Sequence, residues 1–418
     1  MNPVKKKQQC RKKSFSLETL DPDTIYHYSS IEIFKDTLLK ETSMHKPVVI
    51  CGYKRSPMHF ANKGALAKVR PDDMAATVLA ALVKDSGVKP EDIEDLLLGC
   101  AFPEAEQGFN VAKIILQIMG LPQSIAGATV NRFCGSSMTT IQMAAGYIQM
   151  GAGEVFLTGG VESMSRVPMG GFNPMPNPEL AKTFPDAYIS MGITAENLAD
   201  KYGIKRDAQE KFAYNSHHKA AKAAEKGYFK DEMVAIGDVN EDGTIRPDTS
   251  LEKLATLNPA FKVDGSVTAA TSSPLTDGAA GVLVASEEYA DKNGLTKLAR
   301  IKSVAVAGCK ADIMGIGPVP ATHKALERAG LTIKDIELVE LNEAFAAQSL
   351  SVLQDLKIDQ SIVNIDGGAI ALGHPLGTSG ARITGKLASL MVREKKKYGL
   401  ATMCIGGGQG TAIILESI

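Results

Sequence analysis

Asp92-Ile-Glu-Asp-Leu-Leu-Leu-Gly-Cys-Ala-Phe102 and Asp335-Ile-Glu-Leu-Val-Glu-Leu-Asn-Glu-Ala-Phe345 align without a gap, 243 residues apart. Each is a short apolar run behind an acidic turn, the pattern of a buried strand. At nearly the same separation, Gly135-Ser-Ser precedes one helical pattern and Gly377-Thr-Ser another. The pair Gly159-Gly160 likewise matches Gly406-Gly407. A single repeat of this length is too long for a solenoid unit. It implies two similar α/β halves whose matching corners can face each other.

Working outward, Val48–Gly52, Ile93–Cys100, Ala128–Arg132 and Glu154–Gly160 read as strands. Between them, 70–84, 110–119 and 135–150 read as helices. Pro71 with Asp72 and Asp73 marks one helix start. The alternation predicts a doubly wound, mostly parallel sheet. Between the halves, at about 167–275, the texture changes. Gly, Pro and Asn crowd 170–185, Thr194–Lys226 is a Lys/Glu-laden helical stretch with a solvated surface, and 256–273 is irregular. The segment reads as an inserted lid or loop domain, a usual carrier of binding loops.

The 418 residues are 44% apolar and 22% charged, with net charge −1 and no tryptophan. That balance gives no global field for nucleic acid or a membrane surface. No run reaches the ~20 apolar residues of a membrane-spanning helix. Six cysteines without CxxC or zinc spacing suggest reduced thiols and no metal site. Residues 1–46 begin basic and read as a flexible appendage, or as sequence upstream of a start at Met44. A weaker alternative is a basic binding arm.

Cys134, in Val130-Asn-Arg-Phe-Cys-Gly-Ser-Ser137, falls where a strand gives way to a helix. There the dipole and free amides are expected to favour thiolate. Cys404 opens Cys-Ile-Gly-Gly-Gly-Gln-Gly410. The apolar run Thr411-Ala-Ile-Ile-Leu415 behind it is a strand, so the glycines do not form a dinucleotide loop. They suit backbone amides approaching a reacting oxygen. Cys51, Cys100 and Cys309 sit in apolar, strand-like settings and read as packing. Among seven histidines, His374 stands alone in a Gly-His-Pro turn, expected at a strand-to-helix corner with Thr378 and Ser379 capping the helix. Asn342 follows the strand 337–341 and can hold a water or a carbonyl. Two thiols, an imidazole and an amide suggest carbon–carbon chemistry through a thioester: one thiolate carries the acyl group, the other moves a proton.

With Asn131-Arg-Phe-Cys-Gly-Ser-Ser137, Gly159-Gly-Val-Glu-Ser-Met164, Asn342-Glu-Ala-Phe345, Gly367-Gly-Ala-Ile-Ala-Leu-Gly-His-Pro-Leu-Gly377 and Cys404-Ile-Gly-Gly-Gly-Gln-Gly410, residues 47–418 resemble the thiolases. The resemblance implies an α/β fold of two βαβαβαββ halves, their mixed sheets stacked in an α/β/α/β/α core, plus the loop domain. It divides the chain into an extension (1–46), a first half (47–166 with 276–296), a loop domain binding coenzyme A (167–275) and a second half (297–418). It implies reversible acyl transfer between coenzyme A and acetyl-CoA, with coenzyme A as substrate and no permanently bound cofactor.

By the same resemblance Cys134 is the acylated nucleophile, His374 its activator, Asn342 the holder of a polarising water, and Cys404 the acid/base. The amides of Cys134 and Gly406 make a second oxyanion hole. Ser273 contacts coenzyme A near the pantetheine, and Met191, Gly192, Met314, Gly315 and Phe345 line the substrate pocket. Ser190 stands where short-chain biosynthetic relatives tend to carry histidine, which makes the chain more similar to degradative 3-ketoacyl-CoA thiolases. Thr378 and Pro274 also depart from common family residues. The implied setting is fatty-acid β-oxidation in the cytoplasm, as a homodimer or homotetramer, with a hydratase/dehydrogenase multienzyme as partner. The alternatives are an acetoacetyl-CoA thiolase, a decarboxylating ketoacyl synthase (which would carry histidine in place of Cys404), and a non-catalytic acyl-CoA or lipid carrier.

Overall fold

The computed structural model describes residues 46–418. The readings placed on the basic N-terminal stretch therefore lie, Lys46 apart, outside the described residues. Ten strands form: β1 (Val48–Arg55), β2 (His59–Phe60), β3 (Asp95–Gly99), β4 (Ala126–Val130), β5 (Val155–Ser163), β6 (Thr276–Ser286), β7 (Ala299–Gly308), β8 (Leu338–Leu341), β9 (Tyr398–Ile405) and β10 (Gln409–Glu416). Six helices pack on them: α1 (Pro71–Ser86), α2 (Val111–Ile118), α3 (Ser136–Gln149), α4 (Pro318–Ala329), α5 (Ala346–Leu356) and α6 (Ser379–Glu394).

The strand order is β4-β3-β5-β6-β1-β7-β10-β9-β8, with β2 added on β6. One half owns the strands up to β1 and the other those from β7. They meet through only two residue pairs, Val49 with Arg300 and Ile50 with Ala299. The long repeat is structural. Asp95 pairs with Phe156 between β3 and β5, and Leu338 pairs with Gly399 between β8 and β9, both partners displaced by 243 residues. The glycine match is not. That displacement sets Gly159 and Gly160, inside β5, against Thr402 and Met403, whereas Gly406 and Gly407 lie beyond the end of β9.

Only β3–β4, β3–β5 and β8–β9 run parallel; the other pairings are antiparallel. The mostly parallel sheet expected from the alternation is thus a mixed one, as the resemblance implied. Strands covered on both faces read as unbroken apolar runs whichever way they point, so their sequence does not encode direction.

Helices α1 and α2 cover one outer face, with Met74, Val78, Leu82 and Ile115 against Leu96, Leu157 and Leu283. On the other outside, α4 and α5 pack Ala321, Leu326, Val352 and Leu353 against Leu400 and Ile414. Between the two halves of the sheet, α3 and α6 bury Ile141, Ile148, Ile383 and Leu387 against Leu97, Phe156, Met403 and Ile413. The result is five alternating layers. The middle one is tight. A Cβ on Gly160 would lie 2.1 Å from the Gly377 carbonyl oxygen, so only glycine fits there. The Ala381 amide of α6 donates to Ser137 Oγ of α3 at 2.8 Å.

Segment 164–275 carries helices Met191–Tyr202 and Arg206–Glu225, split at Gly203 in the left-handed region (φ 65°), where one helical stretch was expected. The expected solvated surface holds for one face alone; Phe212, Ser216 and His217 of the second helix are buried. Buried ions tie the segment to the core. Arg55 of β1 donates to Asp242 at 2.7 and 2.9 Å and to Glu232 at 2.7 Å. Among the described residues no helix is long and apolar enough to cross a membrane.

Candidate active site

Past β4 the chain turns sharply. The Asn131 carboxamide oxygen accepts from the Phe133 amide at 2.8 Å, and Phe133 takes a left-handed φ of 44°. Cys134 follows in the 3-10 turn Phe133–Gly135, with α3 starting at Ser136. The amides of Gly406 and of Cys134 itself lie towards the sulfur and favour thiolate. Burial outweighs both and pushes the thiol up to about 11. The expected helix-end thiolate is therefore a thiol at rest, which needs a base to become a nucleophile.

His374 supplies the geometry for one. A short helix, Ala369–Leu372, precedes it rather than the expected strand, and Gly373 turns the chain at φ 89°. The His374 amide donates to Thr276 Oγ1 at 3.2 Å. Its Nδ1 lies 2.5 Å from Ser379 Oγ, and that hydroxyl donates to the Pro375 carbonyl at 2.9 Å. Ser379 Oγ therefore accepts from Nδ1–H, which leaves Nε2 as the unprotonated nitrogen. Burial first, and the Arg382 cation second, hold the imidazole down to about 3, so it is neutral at neutral pH. Ser379 and Thr378 do not cap α6 as expected; the Thr378 hydroxyl instead donates to the Gly278 carbonyl at 2.8 Å.

Asn342 follows β8 and sets Nδ2 3.3 Å from His374 Nε2. Its Oδ1 is buried without a hydrogen-bond partner, an available acceptor for a bound polar group. Cys404 is fully buried near the end of β9. Burial, and then the nearby Cys134, raise its thiol well above the ordinary range. The chain then reverses through Gly407 and Gly408, at φ 78° and 84°, into β10.

Cys134, His374 and Cys404 line one pocket, together with Met191, Gly192, Ser273, Met314 and Phe345. The Phe261 ring packs against Gly192, leaving no space for a Cβ, and meets Phe345 edge-on with centroids 5.8 Å apart. Met164, Met169, Leu275 and Leu376 make the rest of the wall largely apolar. Gly315 does not join it; it packs under Gln348 and Leu198. Cys51 and Cys100 are buried in the core, whereas Cys309 is half-buried.

Sequence reading missed three features. Ser379 orients the imidazole, a role its five-residue distance from His374 could have suggested. Glu162 of β5 is fully buried and accepts from the amides of Ala101 at 2.7 Å and Gly377 at 2.8 Å, fastening both halves beside the pocket. A second cavity shares Ser272 and Pro274 with the first and carries Arg246 and Lys253 beside Phe60 and His217. Two thiols and a neutral imidazole thus line one largely apolar pocket, an arrangement suited to thiol chemistry.

Comparison with known proteins agrees. Residues 48–288 match the thiolase N-terminal domain and residues 295–417 the thiolase C-terminal domain. The 3-ketoacyl-CoA thiolase of Bacillus subtilis (strain 168) is 47% identical over 388 residues, covering 89% of this chain and 99% of that protein. That of Saccharophagus degradans is 48% identical over 387 residues, with the same coverage. Among solved structures, human mitochondrial 3-ketoacyl-CoA thiolase superposes with a TM-score of 0.83 at 38% identity, covering 90% of this chain and all of that one. The Bacillus anthracis acetyl-CoA acetyltransferase gives 0.82 at 39%, covering 90% and 99%. The chain belongs to the thiolase family and is an acyltransferase.

Proposed function

We propose that this enzyme is an acetyl-CoA C-acyltransferase that cleaves 3-ketoacyl-CoA with coenzyme A, yielding acetyl-CoA and an acyl-CoA two carbons shorter, in fatty-acid β-oxidation. The observation that carries the reading is the convergence of Cys134, His374 and Cys404 on one apolar pocket, with the Gly406 amide on the Cys134 sulfur.

In this reading His374 Nε2 takes the Cys134 proton and the thiolate attacks the 3-keto carbonyl. The carbon–carbon bond breaks, leaving the acyl group on Cys134, and Cys404 protonates the departing acetyl-CoA carbanion. Coenzyme A then gives its thiol proton to Cys404 and attacks the acyl thioester. The released Cys134 thiolate recovers its proton from His374, and the cycle balances. Asn342, through a water, with His374 supports one oxyanion, and the amides of Cys134 and Gly406 support the other. Ser273 lies on the pantetheine path, and Met191, Met314 and Phe345 contact the acyl portion. The adjoining cavity, with Arg246 and Lys253, suits the phosphate-bearing end of coenzyme A. This assigns 167–275 as the loop domain that binds coenzyme A, set between halves 47–166 with 276–296 and 297–418.

We further infer a homodimer or homotetramer, supported by the open edge of β4 and by Phe109, 95% exposed beside it. A cytoplasmic location and a hydratase/dehydrogenase multienzyme partner complete the proposal. Thiolysis rates across a chain-length series test it: medium and long 3-ketoacyl-CoA should match or exceed acetoacetyl-CoA. A clear preference for acetoacetyl-CoA would favour the acetoacetyl-CoA thiolase reading, which the fit to an acetyl-CoA acetyltransferase supports.

A further inference from the structure

Among the buried polar atoms without hydrogen-bond partners away from the pocket, five belong to three residues: Glu340 Oε1 and Oε2, Arg382 Nε and Nη2, and Tyr53 Oη. They stand on three elements, β8, α6 and β1, and are 1%, 2% and 5% exposed. The Tyr53 ring lies against Gly385, one turn beyond Arg382 on α6. Tyr53 feels the charges of both Arg382 and Glu340. Glu340 is faced by Arg382 and Lys386 from α6, and by Asp366 and Glu343. Lys386 and Asp366 are satisfied by each other at 2.8 Å, and Glu343 by Ser216 and Asn364. Of these residues Arg382, Glu340 and Tyr53 alone keep open hydrogen-bonding positions, and no direct ion pair joins the first two.

We propose that ordered water binds between Glu340, Arg382 and Tyr53, and that this bridged pair positions Asn342 against His374. Opposed donors and acceptors sealed from bulk solvent are the setting in which internal water is retained, because an unmet buried polar group is costly. The placement gives the pair its role. Glu340 is two residues before Asn342 on β8, and Arg382 is three residues after Ser379 on α6. Asn342 and Ser379 are the two groups that hold the imidazole, at Nε2 and Nδ1. A bridge between β8 and α6 therefore sets the spacing of the two supports of His374. The positioning role rests on the catalytic reading of His374; the water site does not.

Two measurements test this. A crystal structure of the full chain at a resolution showing waters should reveal at least one within hydrogen-bonding distance of both Glu340 and Arg382; a direct ion pair or a dry gap there would overturn the water site. In a double-mutant cycle, Arg382→Met should lower kcat by about tenfold with KM for coenzyme A unchanged, less than the ~100-fold a 1 Å displacement can cost. Arg382→Lys should restore most of the rate. In an Asn342→Ala background the same Arg382→Met change should cost less than about twofold, because its target is gone. Equal losses in both backgrounds would reject the positioning role. Full turnover in Asn342→Ala alone would instead reject the role given to Asn342. If Arg382→Met does not fold, Glu340→Gln takes its place in the same cycle, with the same expected and overturning results.

Discussion

The two halves share a frame but end their matching strands differently. In the first, β5 runs through Gly159 and Gly160 to Ser163 as one buried strand. In the second, β9 stops at Ile405 and the chain folds back through three glycines into β10. The first arrangement lets α6 approach: Gly160 lies under the Gly377 carbonyl. The second frees the Gly406 amide to meet the Cys134 sulfur. A duplicated scaffold thus yields an asymmetric centre, one thiol at a helix end of the first half facing the imidazole and second thiol of the other.

That comparison can be broken most sharply at its chemical end. Cys134→Ala should reduce turnover by at least about a thousandfold, a loss typical of removing a covalent nucleophile, while coenzyme A affinity by calorimetry stays within about twofold. Retained turnover would make the first-half corner scaffolding only. Ser379→Ala removes the acceptor of Nδ1–H while leaving the imidazole in place. Steady-state assays should show kcat falling about ten- to a hundredfold, as for other outer partners that orient an imidazole.

The glycines give a structural version of the contrast. Gly160→Ala should destabilise the fold by about 3 kcal/mol or more, read as a lower denaturation midpoint, because its Cβ would meet backbone. Gly406→Ala should change stability by less than about 1 kcal/mol: the nearest atom, Met191 Sδ, is 3.5 Å from the added Cβ. Equal effects at the two sites would erase the distinction between strand and turn.

The smallest effect concerns pH. His374 and His217 are both buried, mainly by burial held down to about 3 and about 4 from an ordinary 6.5. Between those values the unfolded chain binds protons that the folded one refuses, so stability rises with pH. Denaturant midpoints should be flat in these terms above about 6.5 and fall as pH drops towards 4. His217→Gln should flatten part of that slope.

Much of this was legible beforehand, for physical reasons. The 243-residue repeat carries the same acidic turn and buried strand twice, so it reported the two halves. Glycine-rich corners around Cys134, His374 and Cys404 marked where backbone must turn or approach closely, and the structure joins them. Strand direction was not legible, because doubly covered strands look alike either way. The ionisation of Cys134 was not legible either: the amides were foreseeable, but the burial that outweighs them comes from residues of both halves. The glycine pairs at 159 and 406 looked equivalent because glycine serves both tight packing and tight turning. Ser379 passed for a cap because a hydroxyl at a helix start usually is one.

The central claim is that acyl transfer passes through the Cys134 sulfur. Incubating the protein with acyl-CoA in the absence of an acceptor, quenching in acid and mapping the digested peptides by mass spectrometry tests it directly. The account predicts an acyl thioester on the peptide bearing Cys134, abolished in Cys134→Ala and retained in Cys404→Ala. An adduct on Cys404 instead, or none on either thiol during turnover, would contradict it.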